Sequence, residues 1–214
     1  MTINFFNLIT DTVKTALAED VGSGDVTAKL IADHQQAKAT VITRQQAIIA
    51  GKPWVDEVIS QVDPGIEITW LVDEGASVAA GTELFTCSGK AASILTAERT
   101  SLNFLQTLSG TATITRRYAD LIRHTSAKLL DTRKTIPGLR LAQKYAVSVG
   151  GGLNHRVGLF DAFLIKENHI LAAGSIAAAI QKARTLAPEL RLEVEVESLA
   201  ELDEALQETP DWIM

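Results

Sequence analysis

Apolar residues recur at four-residue steps near the start of the chain, at Ile9, Val13 and Leu17. That period places them on one face of a helix over residues 6–17. Gly22 and Gly24, within the run Asp20 to Asp25, bring it to a stop. Residues 39–44 and 66–72 then read as strands, the second entered through the Pro64-Gly65 turn. Between them Pro53 suits the first turn of a short helix ending near Ile59. Glycines at 75, 81 and 89 separate Val78 from Leu84-Phe85, the rhythm of short strands joined by tight turns. A stripe of Leu95, Leu102, Leu105 and Leu108 predicts a helix over 93–108 that stops at Gly110. Ile114, Tyr118, Leu121 and Ile122 mark one side of a second helix over 111–124.

From Lys128 the texture changes to short apolar strands alternating with helices. Strands are predicted at 129–130, 163–165, 192–196 and 212–214, and helices at 139–149, 175–186 and 198–206. The last helix opens with a capping box, Ser198 to Glu201. This order means right-handed βα units and a parallel sheet or barrel. The strands are fewer than the roughly eight that close a barrel. Trp212-Ile213-Met214 also ends the chain on an apolar strand. The expectation is an incomplete barrel in a truncated form of a longer protein. The alternative is a short open α/β sheet complete at Met214.

The chain has 214 residues and 46% hydrophobic content, enough to bury a core of one or two domains. A formal charge of -6 argues against nucleic-acid binding. The single cysteine, Cys87, suits a reducing cytoplasm and a small buried apolar role. No basic segment followed by an apolar core opens the chain, and no apolar run is long enough to span a membrane. A soluble cytoplasmic protein is expected.

Against that acidic background, residues 129–170 gather Arg133, Lys134, Arg140, His155, Arg156, Lys166 and His169. Parallel barrels carry their functional groups at the C-terminal ends of strands. The pattern puts Thr132-Arg133-Lys134, Lys166 and Glu195 there. Arginine forks suit carboxylate or phosphate, and lysines act as point charges. Each charge-assisted hydrogen bond contributes about 1.5–3 kcal/mol, so the set can hold a dianion. His155 can donate to the same anion, whereas His34, His124 and His169 read as structural. Glu193, Glu195 and Glu197 alternate onto one strand face, where they need cations, Mg²⁺ or ligand hydroxyls. No His/Cys spacing for zinc, nucleophile elbow or P-loop is present. On residues alone this is a βα enzyme for a small polyanion, working with a divalent cation.

The blocks that carry this chemistry are long and ordered. They are Glu19 to Thr27, Glu98 to Phe104, Asp131 to Arg140, Gly150 to Arg156 and Leu164 to His169. Together they resemble the quinolinate phosphoribosyltransferases over nearly the whole chain. The resemblance implies an α/β fold: an N-terminal helical segment (1–26), an α/β sandwich domain (27–110) and an incomplete parallel α/β barrel (111–214). It implies transfer of phosphoribose from phosphoribosyl pyrophosphate to quinolinate, with Mg²⁺. The products are nicotinate mononucleotide, pyrophosphate and CO₂, in de novo NAD synthesis. By the same resemblance Arg133, His155 and Arg156, with Thr132 beside them, hold the quinolinate carboxylates. Arg99 reaches in from the neighbouring subunit of a homodimer. Lys134 and Lys166 lie between diacid and phosphoribosyl group, and Glu195 lies near the ribose hydroxyls and the metal.

The family's strand matching Trp212-Ile213-Met214 continues into Leu-Asp-Asn, and later strands hold the 5′-phosphate. The 214-residue chain is therefore expected to keep most of the diacid site and to be weakly active or inactive. Two other readings stay open. One is a nicotinate-using phosphoribosyltransferase, although a monoacid would not need so many cations. The other is a truncated, non-catalytic diacid-binding or dimerising fragment. The glycine rhythm of 73–89 also resembles the hammerhead of biotinyl and lipoyl carriers, but no modifiable hairpin lysine accompanies it.

Overall fold

The computed structural model describes residues 4–214. The chain divides into two compact units, one running up to His155 and the other over Arg156–Met214.

The first unit begins with α1 (Ile9–Val21), which buries Ile9 and Val13. Gly22, at φ +53°, ends the helix where the glycines predicted. There follow β1 (Gln36–Ile42), β2 (Ala47–Ile48), α2 (Lys52–Val62), β3 (Glu67–Trp70), β4 (Ser77–Val78) and β5 (Glu83–Lys90). β5 lies between β1 and β3, antiparallel to both, and β2 pairs antiparallel with β4. Next come α3 (Ala91–Ile122) and α4 (Arg140–Val149). Trp54, Val55 and Val58 of α2 share one core with Leu84 and Phe85 of β5 and with Leu105 and Leu108 of α3. Each such side chain stabilises the unit by roughly 1.5–3 kcal/mol.

Sequence periodicity and structure part company at α3. The two helices expected on either side of Gly110 are one helix of 32 residues. An interior glycine costs a helix about 1 kcal/mol relative to alanine, but neighbouring bonds hold this one in place. Ser109 Oγ accepts the Ala50 N–H (3.0 Å) and donates to the Ala50 carbonyl (3.2 Å), and Thr113 Oγ accepts the Ile48 N–H (2.8 Å). Leu105 and Leu108 of the predicted stripe are buried, but towards both ends of the helix the buried face is not the one the large apolar residues marked. Ile114, Tyr118 and Leu121 are exposed, as is Leu95, while Ala112 and Thr115 are buried. Closeness of approach explains this. A Cβ on Gly150 would stand 2.5 Å from the Ala112 carbonyl and 2.6 Å from Thr115 Cβ, so only small residues fit there.

Residues 129–130 do not form a strand of their own. They contribute a single parallel bridge, Leu130 to Leu153, because the segment opposite is a loop bonding through Leu153 N–H to Leu129 O and Asp131 N–H to Leu153 O.

The second unit contains β6 (Ala162–Ile165), α5 (Glu167–Ala173), α6 (Ile176–Leu186), β7 (Arg191–Val194), α7 (Leu199–Gln207) and β8 (Trp212–Ile213). Its strands form a parallel sheet of order β6-β7-β8, the partial α/β barrel pattern predicted. Leu192, Glu193 and Val194 are all buried, as befits a central strand of a parallel sheet. Ile165, Leu192 and Val194 pack with Ile176 and Ile180 of α6. Ser198 Oγ accepts the Glu201 N–H, but the return bond from Glu201 goes to the Glu197 N–H, one residue before the cap. β7 ends at Val194, so the alternation expected to align Glu193, Glu195 and Glu197 stops short of the last two.

The strand entrances are fastened by charge. Asp161 accepts the Val157 and Gly158 N–H groups, and Asp211 accepts the Leu192 N–H. Burial alone would raise the Asp161 pKa. The two backbone donors and the nearby Arg191 charge outweigh it and bring it below the ordinary carboxylate value. The Leu192 N–H, helped by Arg184, lowers that of Asp211. Arg191 stacks over the Trp212 ring, 3.9 Å from its centroid.

Candidate active site

Within the first unit the chemistry gathers around α4. Asp131, just after the Leu130 bridge, accepts from Lys144 Nζ (2.6 Å), from the His155 N–H (2.8 Å) and from Asn154 Nδ2 (2.7 Å). The loop after Asp131 is pinned along the same helix. Thr132 Oγ accepts the Lys134 N–H, Gln143 Oε1 accepts the Ile136 N–H, and Arg140 Nε donates to Thr135 Oγ. The glycines at 150 and 152 allow the following loop to lie against α3, where Arg116 Nε donates to the Gly150 carbonyl at 3.0 Å. Thr132, Arg133, Lys134 and His155 are thus brought to one frame. Lys134 is exposed and Arg133 half-buried. Arg133 Nε is itself buried, with no hydrogen-bond partner among the described residues. A guanidinium donor left this way is suited to an anion supplied from outside.

In the second unit the C-terminal ends of β6 and β7 meet. Lys166 Nζ pairs with Glu195 Oε2 at 2.5 Å. The backbone agrees, since the Glu195 N–H donates to the Ile165 carbonyl. His169 Nδ1 accepts the Lys166 N–H at 3.0 Å, so this histidine caps α5, the structural role expected of it. The lysine and carboxylate project where parallel α/β folds place reactive groups. Among the described residues no three His, Cys, Asp or Glu side chains converge as a ready-made metal site.

Comparison with known proteins decides the family. Residues 25–109 match the quinolinate phosphoribosyl transferase N-terminal domain, and residues 111–214 match its C-terminal domain. The chain belongs to the quinolinate phosphoribosyltransferase family. The nicotinate-nucleotide pyrophosphorylase of Mycobacterium leprae is 43% identical, over 98% of this chain and 75% of that protein. A probable nicotinate-nucleotide pyrophosphorylase of Bacillus subtilis is 41% identical, over 92% and 68%. The solved structure of the Francisella tularensis nicotinate-nucleotide pyrophosphorylase superposes with a TM-score of 0.95 at 51% identity, covering all of this chain and 75% of that one.

Set against that phosphoribosyltransferase family, the residues singled out from sequence fall into three places. Thr132, Arg133, Lys134 and His155 share the α4 frame, and Arg156 opens the second unit. Lys166 and Glu195 form their own pair. Arg99 joins neither. It is exposed on α3 and lines a groove of about 920 Å³ between that helix and the face of β1, with Arg117 of the same helix and Arg44, just after β1, also in the lining. Sequence reasoning missed Lys144 and the framing roles of Asp131 and Asn154. A lysine in the middle of an amphipathic helix reads as solvated, and no periodicity marks it as buried.

Proposed function

We propose that this chain carries out the chemistry of its family: phosphoribosyl transfer from phosphoribosyl pyrophosphate to quinolinate, with decarboxylation, giving nicotinate mononucleotide for NAD synthesis. The observation that carries the reading is the buried, unpartnered Arg133 Nε on the same frame as His155. In this reading Arg133, His155 and Arg156, with Thr132, receive the two carboxylates of quinolinate. Lys134 and Lys166 lie toward the phosphoribosyl group, and Glu195 toward its hydroxyls.

The pyrophosphate leaves with the electrons of its bond to C1 of the ribose. The ring nitrogen then attacks the oxocarbenium-like carbon, forming the new C–N bond. The 2-carboxylate departs as CO₂, leaving its electron pair on C2 beside the cationic ring nitrogen, and a proton from water takes the vacated position. Each change is one of charge, and fixed cations placed beforehand favour it without reorganising. Mg²⁺, arriving with the phosphoribosyl substrate, would supply neutralising charge for the departing pyrophosphate, and Glu195, beside Lys166 at the ends of β6 and β7, is the side chain that would help to hold it.

The reading extends to a cytoplasmic homodimer. Arg99 stands on the wall of an open groove, clear of the α4 frame, and in a pair of chains it would serve the neighbour's diacid. Mixing Arg99→Ala chains with Arg133→Ala chains tests this, because only crossed pairs restore one complete set.

Calorimetry of quinolinate against nicotinate, with and without phosphoribosyl pyrophosphate and Mg²⁺, tests the function. Preference for quinolinate that Arg133→Met abolishes is the expected result. Equal affinity for the two acids, or no binding by folded chain, overturns it. Turnover in the same sample separates the catalytic reading from that of a diacid-binding fragment.

A further inference from the structure

Lys144 is fully buried on α4 and takes no part in the proposed chemistry. Its ammonium donates to Asp131 Oδ1 at 2.6 Å and to the His155 carbonyl at 3.1 Å. Asp131 Oδ1 in turn accepts the His155 N–H at 2.8 Å. One ion pair therefore holds both main-chain polar groups of His155. The preceding residue sits on the same frame: Asn154 Nδ2 donates to Asp131 Oδ2 and to the Lys144 carbonyl, while its Oδ1 accepts from Ser148 Oγ. Asp131 also leads directly into Thr132-Arg133-Lys134.

Stability is a poor explanation for such a pair. Buried ions lose their hydration, and apolar side chains of similar volume often stabilise a fold as well or better. Apolar contacts, however, do not fix a peptide group in direction. A carboxylate and an ammonium gripping its two ends do.

We propose that the Lys144–Asp131 pair is the positioning device of the diacid site, with Lys144 a positioning residue that acts through His155. The role of His155 toward a diacid rests on the function proposed above. The clamp on its backbone does not. Misplacing a binding group by about 1 Å can cost as much as 100-fold, so releasing the clamp should be felt at the ligand even where the fold survives.

Two arms test this on the full chain. The first is amide hydrogen exchange followed by NMR. The His155 N–H should be protected in the unmutated chain and released by Lys144→Met, while the amides of α2 stay protected. Rapid exchange of His155 in the unmutated chain, or protection that survives the substitution, overturns the clamp. Lys144→Met strands the Asp131 carboxylate and can unfold the chain, so the charge-free double variant K144M/D131L is measured beside it with the same expectation.

The second arm is a cycle of quinolinate affinities. Loss of Lys144 should weaken binding roughly 10- to 100-fold when His155 is present, and by less than about 2-fold in the His155→Ala background. Equal losses in both backgrounds mean that Lys144 does not act through His155, and the proposal falls. A clamped His155 amide in a chain that binds no quinolinate instead overturns the functional reading and leaves the clamp standing.

Discussion

Lys144–Asp131 and Lys166–Glu195 are the same chemistry at nearly the same distance, 2.6 and 2.5 Å. Their surroundings differ. The first lysine is fully buried, and its carboxylate carries two further donors from Asn154 and His155. The second pair is 42% and 29% exposed, at the open end of a parallel sheet. Water screens an exposed pair, so exchanging either partner for a ligand group costs little, while a buried pair that loses one member strands a charge. Distance alone does not tell a pair locked into the architecture from one that a ligand could open. Burial and the number of extra hydrogen bonds do.

The sharpest way to break the contrast is Lys144→Met, which leaves Asp131 without its cation. A loss of about 3–5 kcal/mol in urea unfolding is expected. If Lys144→Met costs no more than Lys166→Met, the pairs are equivalent and the distinction fails. Asn154→Leu removes one charge-assisted bond and leaves the ions paired, with an expected loss of about 1.5–3 kcal/mol by the same measurement.

Acid provides a third, smaller effect, confined to the second unit. Asp161 and Asp211 have folded pKa values below those of the unfolded chain. Protonation therefore favours unfolding. Their contribution is intact above the ordinary carboxylate value of about 3.9 and is lost as pH falls through the lowered folded values. Melting followed at Trp212 should show an acid-dependent loss that Asp161→Asn reduces. The smallest effect is Lys166→Met, at most about 1 kcal/mol in stability. Its consequence should appear instead in binding of the phosphoribosyl substrate, measured by calorimetry.

Much of the fold was legible because local rules and packing agreed. The Ile9/Val13 spacing, Gly22, the turn at 64–65 and the Ser198 cap each announced an element that formed. The failures came where tertiary partners overruled local signals. Gly110 looked like a stop, but Ser109 and Thr113 on either side of it bond the backbone at Ala50 and Ile48, contacts more than fifty residues away in sequence. Ile114, Tyr118 and Leu121 looked like a core face, but the neighbouring glycines select small residues at the contact. Helix α5 carries no strong apolar period. It forms where His169 returns to cap Lys166, a bond visible only once the strand before it is placed. At the candidate site, the cations were legible from their contrast with an acidic chain. Their frame was not, since the burial of Lys144 depends on Asp131 and His155 lying on either side of it.

The continuity of α3 also sets a scale. Arg99 and Arg116 are both on it, and at 1.5 Å per residue they stand about 25 Å apart along the axis and face directions roughly 100° different. Arg116 grips the Gly150 carbonyl at the foot of the loop that bears His155. The helix is thus a stiff spacer with an anchor for its own loop at one end and an outward-facing arginine near the other. A hinge at Gly110 would have let the two ends find each other. Without one, the spacer holds Arg99 away from its own anchor and fixes the interval at which a second chain would have to present a loop to receive it.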